Sequence, residues 1–442
     1  MTRTLISDLH THVGKETTVS GWIDVRRDHG KLIFFDLRDR SGTIQVVAIP
    51  QNGVIETASM LRGQWVVSIR GKVNQRPEKM VNKDSATGDI ELEALEITIL
   101  SKAAELPFEI GTDLNIDTYL DNLPLTLRTQ RARDIFAVQH SLIDTFRSTL
   151  NTLGFTEFQA PKLVGDDAEG GAGVFKVEYF KDKNAYLATS PQLYKQIMVG
   201  VFERVYATGA QFRAEKHSTT RHLNEIAMLD FEMGFIKDHT DVMAVMERLM
   251  QDFVKTIGEK HQEILKHFNV ELPHLSEKIP VMKLREAQEL IKKETGKDST
   301  KEPDLEPEDE RWLCEYARKE WDSDAVFVTH YPVSKRPFYT MEDPEDPGFT
   351  KSFDLLFRGV EILSGSQRVH DYETLVGKIK EKGLDPEKFH FYLMAFKYGL
   401  PPHGGIGMGL ERLTQKFLGL SNVKEASLFP RDMNRIDTLL SE

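Results

Sequence analysis

Through the first hundred residues, apolar and polar positions alternate in short runs. TTVSGWIDVRRD, KLIFFDLRD, GTIQVVAI, QWVVSIRGKVNQR and DIELEALEITIL are separated by DHG, DRSG and SATGD. Alternation of this kind, rich in β-branched and aromatic residues and broken by glycine, aspartate and asparagine, predicts five strands. The period then changes. After a polar, proline-bearing stretch, RARDIFAVQHSLIDTFRSTLNTLG repeats its apolar positions at helical spacing and stops at Gly154. Beyond it the runs AYLATS, ERVYAT, MLDFEMGF and SFDLLFRGVEILS occur in adjacent pairs among helical stretches. Pairs of neighbouring strands predict an antiparallel or mixed sheet in an α+β layer architecture, in preference to a doubly wound parallel one.

Five short strands in about a hundred residues fit a small closed barrel, and an OB-fold, whose face commonly binds oligonucleotides, has that count. The expected organisation is a barrel over 1–103, a connector over 104–130 and a larger α+β domain over 131–442. Composition narrows the setting. The 442 residues are 40% hydrophobic and 29% charged, with a net charge of −12 and one cysteine, Cys314. No apolar run reaches membrane-spanning length, so a membrane protein is not expected. The opening MTRTLISDLHTHVG has no apolar leader core, and a single cysteine excludes an internal disulfide and a cysteine zinc cluster. The cytoplasm is the expected compartment. The acidic balance argues against a general nucleic-acid coat but leaves local RNA contacts open. KEPDLEPEDERW (301–312) is expected to be a solvated loop or helix start.

Four segments carry candidate chemistry. FRAEKHSTTRHLNE (212–225) places Arg213, Lys216 and Arg221 among Glu215, His217 and His222, between two strand-like runs. It is either a solvated hairpin tip or a claw for a polyanion. PPHGGIGMGLERL (401–413) alternates Gly405, Gly407 and Gly409 ahead of Arg412, a pattern that lets backbone pass close to a flat ligand or a helix. SFDLLFRGVEILSGSQR brings Asp354, Glu361 and Ser364 into one unit, a hard-oxygen set suited to Mg2+ held with phosphates, followed by the planar fork of Arg368. TSPQLYKQ sets Gln192 and Lys195 on one helix face, where a lysine in apolar company requires an anionic partner or a route to solvent. GDDAEGGAGVF (165–175) has the glycine content of a lid. Together they suit activation of a carboxylic acid by a nucleoside triphosphate, which relies on positioning and charge neutralisation.

At this point the chain resembles class II aminoacyl-tRNA synthetases of the aspartyl/asparaginyl branch, along nearly all its length. GFTEFQAP resembles motif 1, whose proline (Pro161) sits at the dimer interface in that family. FRAEKHSTTRHLNEIAMLDFEM resembles motif 2, and GIGMGLERL resembles motif 3. The resemblance implies an OB-fold anticodon-binding barrel joined to a class II catalytic domain, and a homodimer. It implies a ligase that uses ATP and Mg2+ to activate L-aspartate and transfers it to tRNA-Asp. Arg213 and Arg412 would be catalytic, holding the α- and γ-phosphates. Glu215, Arg221, His222, Leu223, Glu361 and Gly409 would complete the ATP site. Asp354, Glu361 and Ser364 would bind the metal. Glu169, Gln192, Lys195, Arg213, Asp230, Ser364 and Arg368 would bind aspartate, with Glu169 and Gly171 on the closing loop.

In the barrel, the resemblance implies Phe34, Gln45, Glu91 and His29 as anticodon readers. His29 stands where relatives that charge both tRNA-Asp and tRNA-Asn carry histidine, which brings in tRNA-Asn as a second substrate. Lys195 favours aspartate over asparagine, since a cation prefers the carboxylate to the amide. One departure is Ile226, where the family places a phenylalanine that stacks on adenine. The catalytic region has an archaeal or eukaryotic style, while DHGKLIFFDLRD in the barrel is bacterial in style. Lys216 and His217 are candidates for the tRNA acceptor end. The alternatives are an asparaginyl enzyme, a synthetase-derived asparagine synthetase, which would lack the barrel, and a non-catalytic RNA-binding paralogue, which would lose the motif arginines.

Overall fold

The computed structural model describes the chain apart from residues 1–2, 84, 166–172, 217–218, 439 and 441–442. It divides into two compact units, 1–112 and 113–442. The boundary falls inside the expected connector, whose second half forms two short helices, Ile116–Asp121 and Leu123–Thr126. Among the described residues, no helix is long and apolar enough to cross a membrane.

The first unit is a closed barrel of β1 (Glu16–His29), β2 (Leu32–Arg38), β3 (Thr43–Ala48), β4 (Val66–Gln75) and β5 (Ile90–Ser101), in the order β1-β2-β3-β5-β4. All five expected strands are present. Period-2 alternation explains the closure: Ile33, Phe35 and Leu37 point inward with Ile44, Val46, Ile69 and Leu92 and are buried, while Phe34 and Asp36 face outward. The barrel interior is therefore filled by side chains, and whatever the barrel binds must meet its outside.

In the second unit, β6 (Thr156–Glu157) precedes a small sheet of β7 (Leu163–Val164), β8 (Lys176–Tyr179) and β9 (Lys183–Leu187). Then come β10 (Arg204–Phe212), β11 (Glu225–Gly234), β12 (Val281–Lys283), β13 (Ala325–Thr329), β14 (Ser352–Phe357), β15 (Val360–Gln367) and β16 (His403–Gly409). Among the described residues, the main sheet has eight strands in the order β12-β13-β14-β15-β16-β11-β10-β6, antiparallel except for the outermost pair at each edge. The expected hairpin is formed by β10 and β11, in register from Arg204↔Met233 to Phe212↔Glu225.

Alternation assigns the two faces of this sheet. Leu229, Phe231, Phe353, Leu355, Leu363, Ile406 and Met408 point to one face and pack under the helices Gln130–Thr152, His239–Lys260 and Leu410–Leu418. The first of these is the helix expected after the connector, capped by the Thr129 side chain and ended by Gly154 at φ 79°. The residues in between, Asp230, Glu232, Asp354, Ser364 and Gly407, point to the other face. That face is covered at its two ends by separate apolar clusters. One includes Val199 of the helix Gln192–Phe202, and the other includes Leu313 of the helix Pro307–Glu320. The middle stays open and polar.

Beyond the approach to a ligand or helix expected from sequence, Gly405 and Gly407 of β16 let a neighbouring strand come close. They pair directly with the acids of β11, Gly407 opposite Asp230 and Gly405 opposite Glu232. A Cβ at Gly405 would lie 2.1 Å from the Phe231 carbonyl oxygen and 2.2 Å from a Glu232 carboxylate oxygen. The missing side chain is the space that the carboxylate fills. Gly405→Ala is therefore expected to destabilise the protein by about 1–3 kcal/mol, the usual cost of overpacking. Chemical denaturation of both proteins measures it, and unchanged stability would refute the assignment.

Candidate active site

Thirteen of the residues proposed from sequence border one cavity over the open face: Gln192, Lys195, Arg213, Glu215, Arg221, His222, Leu223, Asp230, Glu361, Ser364, Arg368, Gly409 and Arg412. They come from the helix Gln192–Phe202, the β10–β11 hairpin, β15 and the β16–helix junction, segments far apart in the chain. Ile226 also lines the cavity. Lys216 is exposed and does not border it. Glu169, Gly171 and His217 lie outside the described residues. Asp354 lies beside the cavity, paired across the strands with Ser364.

The inner end is built on buried charge. Lys195 Nζ donates to Asp230 Oδ1 at 3.1 Å and to the Ile406 carbonyl at 2.8 Å, and lies 3.5 Å from Glu232 Oε2. Arg368 grips Glu232 with both edges of its fork, Nε to Oε1 at 2.8 Å and Nη2 to Oε2 at 3.2 Å. All four side chains are buried. Ionised together they sum to zero charge, the condition under which so many charges can leave water. Burial pushes the Glu232 carboxyl up, but Arg368 and Lys195 outweigh it and hold it below its ordinary value. Asp230 goes the other way. Burial dominates, Lys195 offsets it only in part, and its carboxyl is raised, with Oδ2 lacking a partner among the described residues.

Glu232 is a site residue that the sequence reading missed. Its signal was present: Asp230 and Glu232 stand two apart in the apolar run MLDFEMGF, and on a strand such a pair shares a face. Gln196 and His403 were also missed. Gln192 donates to Gln196 Oε1 at 3.0 Å, and Gln196 Nε2 lies 2.9 Å from His403 Nε2. His403 Nδ1 lies 2.8 Å from the Pro401 carbonyl, which can only accept. The imidazole therefore carries its proton on Nδ1 and accepts from Gln196 at Nε2. Burial lowers its pKa to about 4, so it stays neutral and fixes the Gln192 amide.

The outer end is cationic and more exposed. The described base of the hairpin 212–225 is tied together across its two strands. Asn224 donates to the carbonyls of Arg213 at 2.6 Å and Glu215 at 3.1 Å, and Arg213 N returns a bond to Asn224 O. His222 Nε2 sits 3.7 Å from Glu215 Oε2. Arg221 pairs with Glu310 at 3.0 Å, and Arg412 Nη1 donates to the Glu361 carbonyl at 3.2 Å. Between the two ends, Ser364 Oγ donates to Glu361 Oε1 at 2.9 Å. Arg336, also missed from sequence, pairs with Asp354 Oδ2 at 2.7 Å and lies over the Tyr331 ring at 3.9 Å. Burial, then the neighbouring Asp354, raises the Glu361 carboxyl to about 7. Among the described residues, no group of three or more His, Cys, Asp or Glu is arranged to hold a metal. The available donors are two carboxylates and a hydroxyl.

Glu411 joins the hairpin to the motif that follows β16. Its carboxylate receives Ala227 N at 2.9 and 3.1 Å, extending the β11 ladder past the point where β16 turns into a helix. That turn is what aims Arg412 at the cavity. Burial raises the Glu411 carboxyl to about 7 from the ordinary 4.5. Below pH 4.5 folded and unfolded chains both hold this proton. As pH rises toward 7 only the unfolded chain releases it, so stability from this group is lost across that window. The wild type should lose on the order of 3 kcal/mol relative to Glu411→Gln between pH 4.5 and 7. Parallel denaturation curves read this, and a pH-independent difference would contradict it.

On the barrel, Gln45 and Glu91 stand beside each other on β3 and β5, Gln45 Nε2 3.4 Å from Glu91 Oε2. Phe34 shares their outward face, half-buried, and the exposed His29 meets it edge-on at 5.7 Å. Burial raises the Glu91 carboxyl, with Arg76 offsetting it in part. All four sequence candidates thus fall on one exterior surface of the barrel.

Residues 17–100 match the family described as OB-fold nucleic acid binding domain, and 115–433 match tRNA synthetases class II (D, K and N). The chain is 46% identical over 438 residues to the aspartate–tRNA(Asp/Asn) ligase of Thermus thermophilus, covering 98% of this chain and 99% of that one. It is 37% identical over 431 residues to the aspartate–tRNA(Asp) ligase of Pyrococcus abyssi, covering 96% of each. Among solved structures, asparaginyl-tRNA synthetase from Pyrococcus horikoshii complexed with asparaginyl-adenylate superposes with a TM-score of 0.89 at 31% identity, covering 99% of both chains. A closed OB barrel, a sheet antiparallel but for its edges and these matches together place the chain in the class II tRNA synthetase family (D, K and N).

Proposed function

We propose that the protein is an aspartate–tRNA ligase that activates L-aspartate with ATP and charges tRNA-Asp. What supports this most is the division of one cavity into two ends. The inner end presents Lys195 and Arg368, two buried cations suited to the aspartate side-chain carboxylate, with Gln192 and Asp230 for the α-ammonium. The outer end presents Arg213, Arg221, His222 and Arg412 for a triphosphate. Aspartate-ligase relatives near 40% identity support the choice of amino acid over asparagine.

In this reading an oxygen of the aspartate α-carboxylate attacks the α-phosphorus of ATP. A P–O bond forms, the bond to the α,β-bridging oxygen breaks, and pyrophosphate leaves with the electron pair. The 3′-terminal ribose hydroxyl of tRNA then attacks the anhydride carbonyl and releases AMP. Arg213 holds the α-phosphate during the first step, and Arg412 the γ-phosphate. Asp354, Glu361 and Ser364 fit a small hard cation, with Asp354 Oδ1 buried and unpartnered among the described residues. Magnesium held there would neutralise charge on the phosphates. Pairing of two copies around Pro161, a cytoplasmic setting and the closing role of Glu169 belong to the same proposal, and rest on the motif resemblance.

A second reading, charging of tRNA-Asn as well, is favoured by the motif resemblance at His29 and by relatives at 41–46% identity that are named aspartate–tRNA(Asp/Asn) ligases. Parallel charging of purified tRNA-Asp and tRNA-Asn tests it, and no aspartyl-tRNA-Asn would exclude it. Lys195→Leu is expected to lose aspartate-dependent ATP–pyrophosphate exchange while ATP binding persists. A melting curve guards against loss of fold, since removing one partner of a buried pair commonly costs roughly 3–5 kcal/mol. Exchange that survived in the folded variant would overturn the assignment. Phe34→Ala should weaken tRNA charging by the roughly 1–3 kcal/mol of one stacked base and leave exchange intact. Equal loss of both activities would argue against the barrel as reader.

A further inference from the structure

Glu310 lies in none of the three motif segments. It belongs to the first turn of the helix Pro307–Glu320, in the acidic stretch that the sequence presents as a solvated face. The fold turns it inward instead. Glu310 Oε2 receives Arg221 Nη2 at 3.0 Å and faces the backbone N of Glu361 at 3.4 Å. Side-chain exposure is 28% for Arg221 and 13% for Glu310, so the pair is shielded well beyond a surface ion pair. Arg221 Nη2 also approaches the Gly359 carbonyl at 3.5 Å. Among the described residues, no other partner engages Nε or Nη1, and the guanidinium borders the cavity. The carbonyl of Glu361 is meanwhile bonded by Arg412. One carboxylate therefore ties the hairpin arginine, the β15 backbone and, through Glu361, the second arginine into a single assembly.

We propose that Glu310 is a positioning residue for the triphosphate end of the nucleotide, acting through Arg221. An arginine on a hairpin has many rotamers, and ordering it on binding weakens affinity. Anchored on Glu310 by one nitrogen, the fork keeps its remaining donors aimed into the cavity before ATP arrives. The inference rests on the nucleotide-binding reading given above. It adds to that reading a residue from outside the motifs that sets how ATP is held.

The test is a double-mutant cycle on the full-length chain with Glu310→Gln and Arg221→Ala, because the amide keeps an acceptor for Glu361 N but loses the ion pair. Calorimetric titration with ATP, which needs no amino acid, is read beside aspartate-dependent pyrophosphate exchange. Glu310→Gln should weaken ATP binding and raise KM for ATP about tenfold, while KM for aspartate stays within about twofold. In the Arg221→Ala background the same change should shift ATP binding less than about twofold. Glu310→Asp, which keeps the charge, should recover part of the loss and serves if the amide variant does not fold. An unaltered ATP affinity in Glu310→Gln, or an equal loss in both backgrounds, overturns the proposal. If the wild type binds ATP but shows no aspartate-dependent exchange, the amino-acid assignment fails while the cycle still decides the role of Glu310.

Discussion

Four ionised side chains out of water at the middle of a sheet impose the tightest condition on this fold. Lys195, Arg368, Asp230 and Glu232 each carry a desolvation cost of several kcal/mol, and mutual pairing makes the group tolerable. That condition reaches into the backbone. β16 must give up side chains at Gly405 and Gly407 so that the acids of β11 have room. The Ile406 and Gly405 carbonyls turn toward Lys195 and Arg368 to complete their coordination. The helix Gln192–Phe202 must lie so that Lys195 reaches over β11, and the Gln192–Gln196–His403 chain holds it there. Strand order, glycine placement and helix direction are all consequences of one charge-balanced cluster.

Such a cluster is also a means of choosing a ligand. Two cations already matched by two anions form a neutral cluster. In the proposed reading the α-carboxylate lies toward the phosphates, so the α-ammonium and side-chain carboxylate of aspartate keep the inner end neutral. A ligand with an amide in place of the side-chain carboxylate would leave a cation less well matched at the inner end, and buried unmatched charge is what the interior penalises most. In the proposed reading, discrimination between aspartate and asparagine follows from charge accounting within the pocket. The raised Asp230 carboxyl is the adjustable member, since Lys195 offsets its burial only in part.

How much of this the sequence revealed depends on whether the information was local. The five barrel strands and the helix ending at Gly154 followed from periodicity and turn residues alone, because burial on one face writes itself directly into alternation. The requirement that Lys195 find an anion was also legible, and Asp230 and Glu232 satisfy it. Glu232 stood two positions from Asp230 in the same apolar run, but its pairing with Arg368 exists only once β11 and Arg368 are brought together. Arg336 and Glu310 were further out of reach. Nothing in VSKRPF or EPEDER distinguishes a side chain turned inward from one in solvent, and only the packing of the helix Pro307–Glu320 on β13 and β14 decides it. Gly407 and Gly409 of β16 border the cavity. The room that Gly405 and Gly407 leave for the β11 acids went unseen, since close approach to a strand and to a ligand ask for the same residue.

The two ends of the cavity obey different physics, and the hairpin 212–225 stands at the more open one. At the inner end every charge is fixed before a ligand arrives, so strength comes from low dielectric and exact pairing cannot be relaxed without loss. At the outer end Arg221 and His222 keep partial exposure, and their carboxylate partners, Glu310 and Glu215, are side chains rather than backbone. In the proposed reading these pairs hold Arg221 and His222 in place, and a ligand phosphate meets the donors left facing the cavity. In that reading a triphosphate approaches at the open end, where water still screens it. In the same reading the amino acid meets charges that are already fixed in place. In the proposed reading, specificity and entry fall to opposite ends of one cavity.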